Sequence, residues 1–164
     1  MDPNNSNLAR FAHAIKPFHT VAYVMKIEEG KSQYLLLRRC GKYLYGNWQM
    51  VSGGIEEGET AWKAALREIQ EETNLIPEQF YSADAVESFY EVLRDAIVVA
   101  PVFVAIIESQ QEIKLSAHEH DAFKWMDYDE TLSFLEFDNQ KRIIKHIEEN
   151  FATKLPNERL RIIF

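Results

Sequence analysis

Residues Gly53 to Leu75 read GGIEEGETAWKAALREIQEETNL. A Gly-rich turn and an acidic loop lead into a stretch that carries Arg67, Glu68, Glu71 and Glu72. On a helix, Glu68 and Glu72 are i,i+4 neighbours, and Glu68 and Glu71 are i,i+3 neighbours. Three carboxylates then share one side. Like charges at this spacing destabilise an isolated helix by roughly 0.2–0.5 kcal/mol per pair. Local stability does not favour the arrangement unless a cation compensates. Hard divalent cations take oxygen ligands, and Mg²⁺ binds one or two carboxylates together with substrate phosphates. The pattern therefore points to a metal site that handles phosphate. The competing reading is a solvated acidic face, which is ordinary for exposed glutamates.

The full spacing separates the two readings. Gly53 is followed by five residues, Glu59, seven residues, Arg67-Glu68, two residues and Glu71-Glu72. A chain of this composition would match those fixed positions by chance about 5 × 10⁻⁵ times. The spacing resembles the signature of the Nudix hydrolase family, and Ile69 and Leu75 match its apolar positions. The usual glycine near the helix end is Asn74 here; Asn tolerates the same left-handed backbone. LLLRR before the signature, and EHDAFKWM and LEFDNQKRIIKHI after it, resemble the branch of bacterial dihydroneopterin triphosphate and dATP pyrophosphohydrolases.

The resemblance implies a set of roles. Glu68, Glu71 and Glu72 would hold Mg²⁺, with Mn²⁺ as a substitute, and Glu68 and Glu72 are the stronger ligand candidates. Gly53 would lend its backbone carbonyl to a cation, and Gly54 would allow close approach of the chain. Arg67 would orient a glutamate, with Glu59 as its partner in an Arg–carboxylate fork. Glu119 would be a further ligand or the general base, and Glu71 is the other candidate base. The implied reaction is hydrolysis of a nucleoside or pterin triphosphate to monophosphate and pyrophosphate. Alternatives are another diphosphate-linked substrate, such as ADP-ribose or a dinucleoside polyphosphate, and a silent nucleotide sensor. The intact glutamates argue against the sensor.

Other residues carry two readings each. Of Arg38 and Arg39, one is expected on substrate phosphates and the other in a surface ion pair. Trp125 either stacks on a purine or pterin ring or packs in the core; Trp48 is structural. Asn139 either reads a base edge or serves the first turn of a helix. His118 and His120 bracket Glu119 and are not assigned as ligands. Cys40 lacks a paired His signature and is read as an inert thiol.

The chain bounds these readings. Its 164 residues fit one domain, and 46% hydrophobic with 27% charged residues fits an ordinary globule. A net charge of −8 argues against a passive nucleic-acid binder. The single cysteine fits a reducing compartment. The start of the chain lacks the pattern of a secretory signal, and the apolar run Ala96–Ile107 is too short for a membrane span. A cytoplasmic protein is expected, either monomer or homodimer.

The elements that must position the site follow from periodicity. Strands are expected at Thr20–Ile27, Gln33–Arg39, Trp48–Val51, Ala83–Leu93, Ala96–Ala105 and Phe123–Met126. Gln33–Arg39 is apolar enough to be buried on both faces. Helices are expected at Thr60–Thr73, with Thr60 as N-cap and Asn74 just past the end, and at Asp138–Phe151. Residues 1–7 are polar and expected to fray, and the loop Cys40–Asn47 looks long for the branch. The fold class is α/β (α+β), the Nudix fold, with a mixed sheet sandwiched between helices.

Overall fold

The computed structural model describes residues 15–164; the expected fraying of residues 1–7 lies outside them. Strand β1 (His19–Glu28) turns into β2 (Lys31–Arg39) through Glu29 and Gly30. Both turn residues have positive φ, 52° and 75°, as two-residue hairpins of matching twist require. β1 also runs parallel to β6 (Ala96–Ile106), with Val21 opposite Val102. β6 is antiparallel to β5 (Gln79–Glu91). The short strands β3 (Trp48–Gln49) and β4 (Val51–Gly54) pair with β2 and β1. β7 (His120–Met126) pairs antiparallel with β2. The result is a seven-stranded mixed sheet in the order β3-β2-β1-β6-β5, with β4 on β1 and β7 on β2.

Helices cover both faces. Helix α1 (Ala61–Thr73) packs Ala65 and Ile69 against Leu35, Leu37, Phe80 and Phe103. Helices α2 (Tyr128–Phe134) and α3 (Asp138–Ile147) cover the other face. There Ile143, Ile144 and Ile147 meet Tyr23, Met25, Tyr34 and Leu36. β2 therefore divides its apolar residues between two cores, which is why it reads as a continuous hydrophobic run.

Several boundaries depart from the sequence reading. Ser52-Gly53-Gly54 is not a turn: it belongs to β4, with Gly53 opposite Thr20. β5 starts at Gln79 and shifts register between Ser82 and Val86, with Asp84 at φ 52°. β7 starts at His120 rather than residue 123. α2, absent from the sequence reading, is a short helix whose Asp127 cap accepts from the Glu130 N–H at 2.8 Å. α3 ends at Ile147 and passes into a π-helical turn, Glu148–Ala152. Asn74 takes the left-handed conformation, φ 63°, and its N–H reaches the Gln70 carbonyl at 2.8 Å.

Candidate active site

The small residues Ala64 and Ala65 are fully buried and let α1 lie close to the sheet. Its glutamates then meet three different environments. Glu71 is exposed, and its carboxylate accepts from Arg67 at 3.1 Å. Glu68 is nearly covered and accepts from Arg67 at 2.8 Å. Glu72 is 1% exposed, and neither of its carboxylate oxygens has a hydrogen-bond partner.

Arg67 is fully engaged. It forks onto Glu59 through Nε and Nη2 at 3.1 and 3.0 Å. Nη1 reaches Glu68 and Glu71, and Nη2 also reaches the Gly54 carbonyl at 2.9 Å. The guanidinium thus spends its N–H donors on orienting the acidic loop and the helix. Glu59 is held below the usual carboxylate range chiefly by this fork.

The environment of Glu72 is set by a distant loop. Ser116 N–H bonds the Glu72 carbonyl at 3.2 Å, and Lys114 N–H bonds the Thr73 carbonyl at 3.0 Å. Glu119 and His120 both turn back to donate to the Ser116 carbonyl at 3.1 Å, and Cys40 N–H bonds the Glu119 carbonyl at 2.9 Å. These bonds bring ligand atoms of Glu72, Glu119 and His120 within 4.8 Å of one another. Burial, and then the charges of Glu119 and Glu68, push Glu72 up to about 9, while Arg39 opposes the shift. His120 is buried with both ring nitrogens unpartnered. Burial and then Arg39 push it down to about 4, so the ring is neutral near pH 7 and able to offer a lone pair.

A divalent cation fits this donor set. A buried carboxylate without partners is strongly disfavoured, and a cation would satisfy Glu72, Glu119 and the His120 ring together. The sequence reading set His120 aside with His118. His118 is indeed exposed, whereas His120 is in the cluster. The clue was its position immediately after Glu119, which an earlier start of β7 would have turned inward.

Gly53 also does something the sequence reading did not foresee. A Cβ there would lie 2.0 Å from Glu68 Cδ, so the missing side chain makes room for the Glu68 carboxylate. Around Gly54 the space is open, and its carbonyl serves Arg67.

A cleft of about 880 Å³ opens beside the cluster, and Glu119 belongs to both. Its walls carry Arg39 and a group of aromatic residues, Tyr43, Phe89, Tyr90 and Phe137. The two arginines separate here. Arg39 lines the cleft, and its Nε reaches the Tyr43 carbonyl at 3.1 Å. Arg38 is not on the cleft wall; it pairs with Asp121 at 2.7 Å on the surface. A register shift between them, which leaves Asp121 extra on β7, sends the two side chains to different neighbours.

Trp125 is also absent from the cleft wall. It packs against the α1-side core with Lys26 Nζ 4.9 Å from its ring centre. Trp48 packs edge-to-face on Phe134 and is structural. Asn139 does line the cleft, but both ends of its amide are used: Nδ2 donates to the Ser88 carbonyl at 3.2 Å and Oδ1 accepts from Arg142 at 2.7 Å. Cys40 is half-buried, with its thiol toward the Ala117 carbonyl. The aromatic wall was missed because its members lie on the loop after β2, on β5 and just before α3, far apart in sequence.

The model of the NUDIX domain matches residues 17–147. An octanoyltransferase of Myxococcus xanthus is 31% identical over 79% of this chain, but the match spans only 36% of that protein's length. The asymmetrical bis(5'-nucleosyl)-tetraphosphatase of Caenorhabditis elegans is 28% identical, covering 66% of this chain and 77% of that one. The dihydroneopterin triphosphate diphosphatase of Escherichia coli is 35% identical over 49% of this chain and 60% of its own. A solved C. elegans Ap4A hydrolase superposes with a TM-score of 0.70 at 22% identity, covering 80% of this chain and 94% of that one.

Proposed function

The chain belongs to the Nudix family, and on that premise we propose that it hydrolyses the phosphoric anhydride of a nucleoside or pterin triphosphate, releasing monophosphate and pyrophosphate. The observation that carries this reading is Glu72. Its buried, unpartnered carboxylate lies beside Glu119, and Glu119 also faces the aromatic cleft.

In this reading Glu72, Glu68 and Glu119, with the His120 ring beside them, hold Mg²⁺ or Mn²⁺. When bound, the cation neutralises phosphate charge and makes a water more acidic. The chain's own residues do the rest. Arg67 fixes Glu68 and the acidic loop through its fork on Glu59. Arg39 supplies positive charge to the phosphates, and the aromatic wall takes the ring. Glu119, rather than the Arg67-bound Glu71, accepts the proton as water attacks the α-phosphorus. The bond from that phosphorus to the bridging oxygen breaks, and pyrophosphate leaves with the electron pair.

A second reading, a dinucleoside polyphosphate, has its own support. The C. elegans relative bears that activity in its name, and Tyr43 stands on a different segment from Phe89 and Tyr90, offering surfaces for two rings. The net charge and the single cysteine fit a cytoplasmic enzyme that does not bind nucleic-acid polymers. No described helix is long and apolar enough to cross a membrane.

The test is a panel of GTP, ATP, dihydroneopterin triphosphate, diadenosine tetraphosphate and ADP-ribose with Mg²⁺ in H₂¹⁸O. Pyrophosphate release with label in the monophosphate supports the first reading. Cleavage of diadenosine tetraphosphate alone supports the second, and no turnover of any substrate overturns both.

A further inference from the structure

His120 opens β7 opposite Arg39 on β2 and is 1% exposed. Neither of its ring nitrogens has a hydrogen-bond partner among the described residues. A buried polar group normally finds one, and leaving it unmade costs about 1–3 kcal/mol. The ring is not short of acceptors nearby. One of its nitrogens and one carboxylate oxygen each from Glu72 and Glu119 lie within 4.8 Å of one another. Both Glu72 oxygens are themselves unpartnered. Backbone bonds hold the group together: the Glu119 and His120 N–H groups both donate to the Ser116 carbonyl at 3.1 Å, and the Ser116 N–H donates to the Glu72 carbonyl at 3.2 Å. Atoms that share an ion at about 2.0–2.2 Å stand no more than about 4.4 Å apart. A small closure of these side chains is therefore enough for all three to reach one ion.

The chemistry of the donor set separates one class of ion from another. Carboxylate, carbonyl and water oxygens suit Mg²⁺, which parts with its waters reluctantly. An imidazole nitrogen suits the divalent transition ions, with affinity rising from Mn²⁺ to Co²⁺. We propose that His120 is a nitrogen ligand to the cation of this site, and that it biases the site away from Mg²⁺ toward divalent transition ions. Co²⁺ is then held more tightly than Mn²⁺, and Mn²⁺ more tightly than Mg²⁺. The bond uses the lone pair of one ring nitrogen; the ring proton stays on the other. His118, two residues earlier, is exposed and outside the group. This inference rests on the cluster being the cation site of the reaction proposed above, and it narrows which ion that site prefers.

Spectroscopy of the bound ion tests it without turnover. The full chain is stripped of metal and given one Mn²⁺ per chain, with no nucleotide. Pulsed electron paramagnetic resonance should show a nitrogen directly coupled to the Mn²⁺, and ¹⁵N-labelling of histidine alone should change that coupling. Displacement of the Mn²⁺ by Co²⁺ and by Mg²⁺ then gives their affinities. His120→Gln puts an amide in place of the imidazole. Loss of a group that merely supports a metal ligand already costs 10–100-fold in affinity, so the variant should bind Co²⁺ at least ~10-fold more weakly. Its affinity for Mg²⁺ should stay within about threefold, so the Co²⁺-to-Mg²⁺ ratio falls. Absence of histidine nitrogen from the Mn²⁺ shell of the unaltered protein overturns the proposal whether or not the variant folds, and so does a ratio that the substitution leaves unchanged. Hydrolysis with Mg²⁺ but no nitrogen coupling overturns the nitrogen ligand alone. Nitrogen coupling with no hydrolysis of any substrate overturns the proposed reaction and supports the ligand.

Discussion

The carboxyl group of Glu68 occupies the space that a side chain on residue 53 would need: a Cβ on Gly53 would sit 2.0 Å from Glu68 Cδ. Glycine is required there for its lack of volume, since its φ is not in the left-handed region.

Gly53→Ala should therefore push the Glu68 carboxyl group aside at little cost in stability, since the clash is with the end of a flexible side chain, and lower kcat by at least ~10-fold. Gly54→Ala, which meets open space, should melt and turn over within about twofold of the unaltered protein, as expected away from packing contacts. Paired thermal melts and kcat measurements check the contrast. Equal behaviour of the two variants would remove the role given to the Gly53–Glu68 contact.

Glu72→Gln should lower kcat by at least ~100-fold, the scale of losing electrostatic stabilisation of a transition state. EDTA should abolish activity, and Mg²⁺ or Mn²⁺ should restore it. Without metal the variant should melt no lower than the unaltered chain, since Glu72 is a buried carboxyl with no partner. Added Mg²⁺ should raise the melting temperature of the unaltered protein by linkage and leave the variant unmoved. A variant that keeps its Mg²⁺ shift would refute the ligand assignment.

Phe89→Ala should raise KM for ring-bearing substrates by at least ~5-fold, since stacking on a base supplies about 1–3 kcal/mol. Trp125→Ala should instead lower thermal stability with KM within about twofold, because Trp125 packs against the core behind α1. The ratio of the two KM changes is the measurement, and an inverted ratio would return Trp125 to the substrate.

Burial raises Glu87 from 4.5 to about 7 in the folded chain. Below pH 4.5 the group is protonated in both states and contributes no pH dependence. From pH 4.5 to about 7 the unfolded chain holds fewer protons than the folded one, so stability falls as pH rises. The loss levels off above pH 7 at about 3 kcal/mol. Glu87→Gln should remove it. Denaturant melts at pH 5 and pH 8 should show the larger stabilising effect of the substitution at pH 8; a larger effect at pH 5 would contradict the burial argument.

What the amino-acid sequence determined by itself is local in origin. The period of the helix puts Glu68, Glu71 and Glu72 on one element, and the left-handed stop at Asn74 follows from a side chain that tolerates that backbone. The two-faced burial of β2 is visible as an unbroken apolar run, and the mixed sheet between helices follows from the alternation of patterns. Tertiary structure decided which glutamate is desolvated, because burial depends on what covers the helix. Hydrogen bonds from Lys114 and Ser116 to the end of α1 cover Glu72 and leave Glu71 in solvent. The pairing of β2 with β7 put Arg39 on the cleft wall and Arg38 beside Asp121, since a one-residue offset between strands re-aims side chains and leaves no trace in composition. The cleft is lined by Arg39, Phe89 and Asn139, residues separated by tens of positions that reach one cleft only when β2, β5 and α3 pack. Such contacts come from chain closure over long separations, and periodicity within a short window carries no record of them.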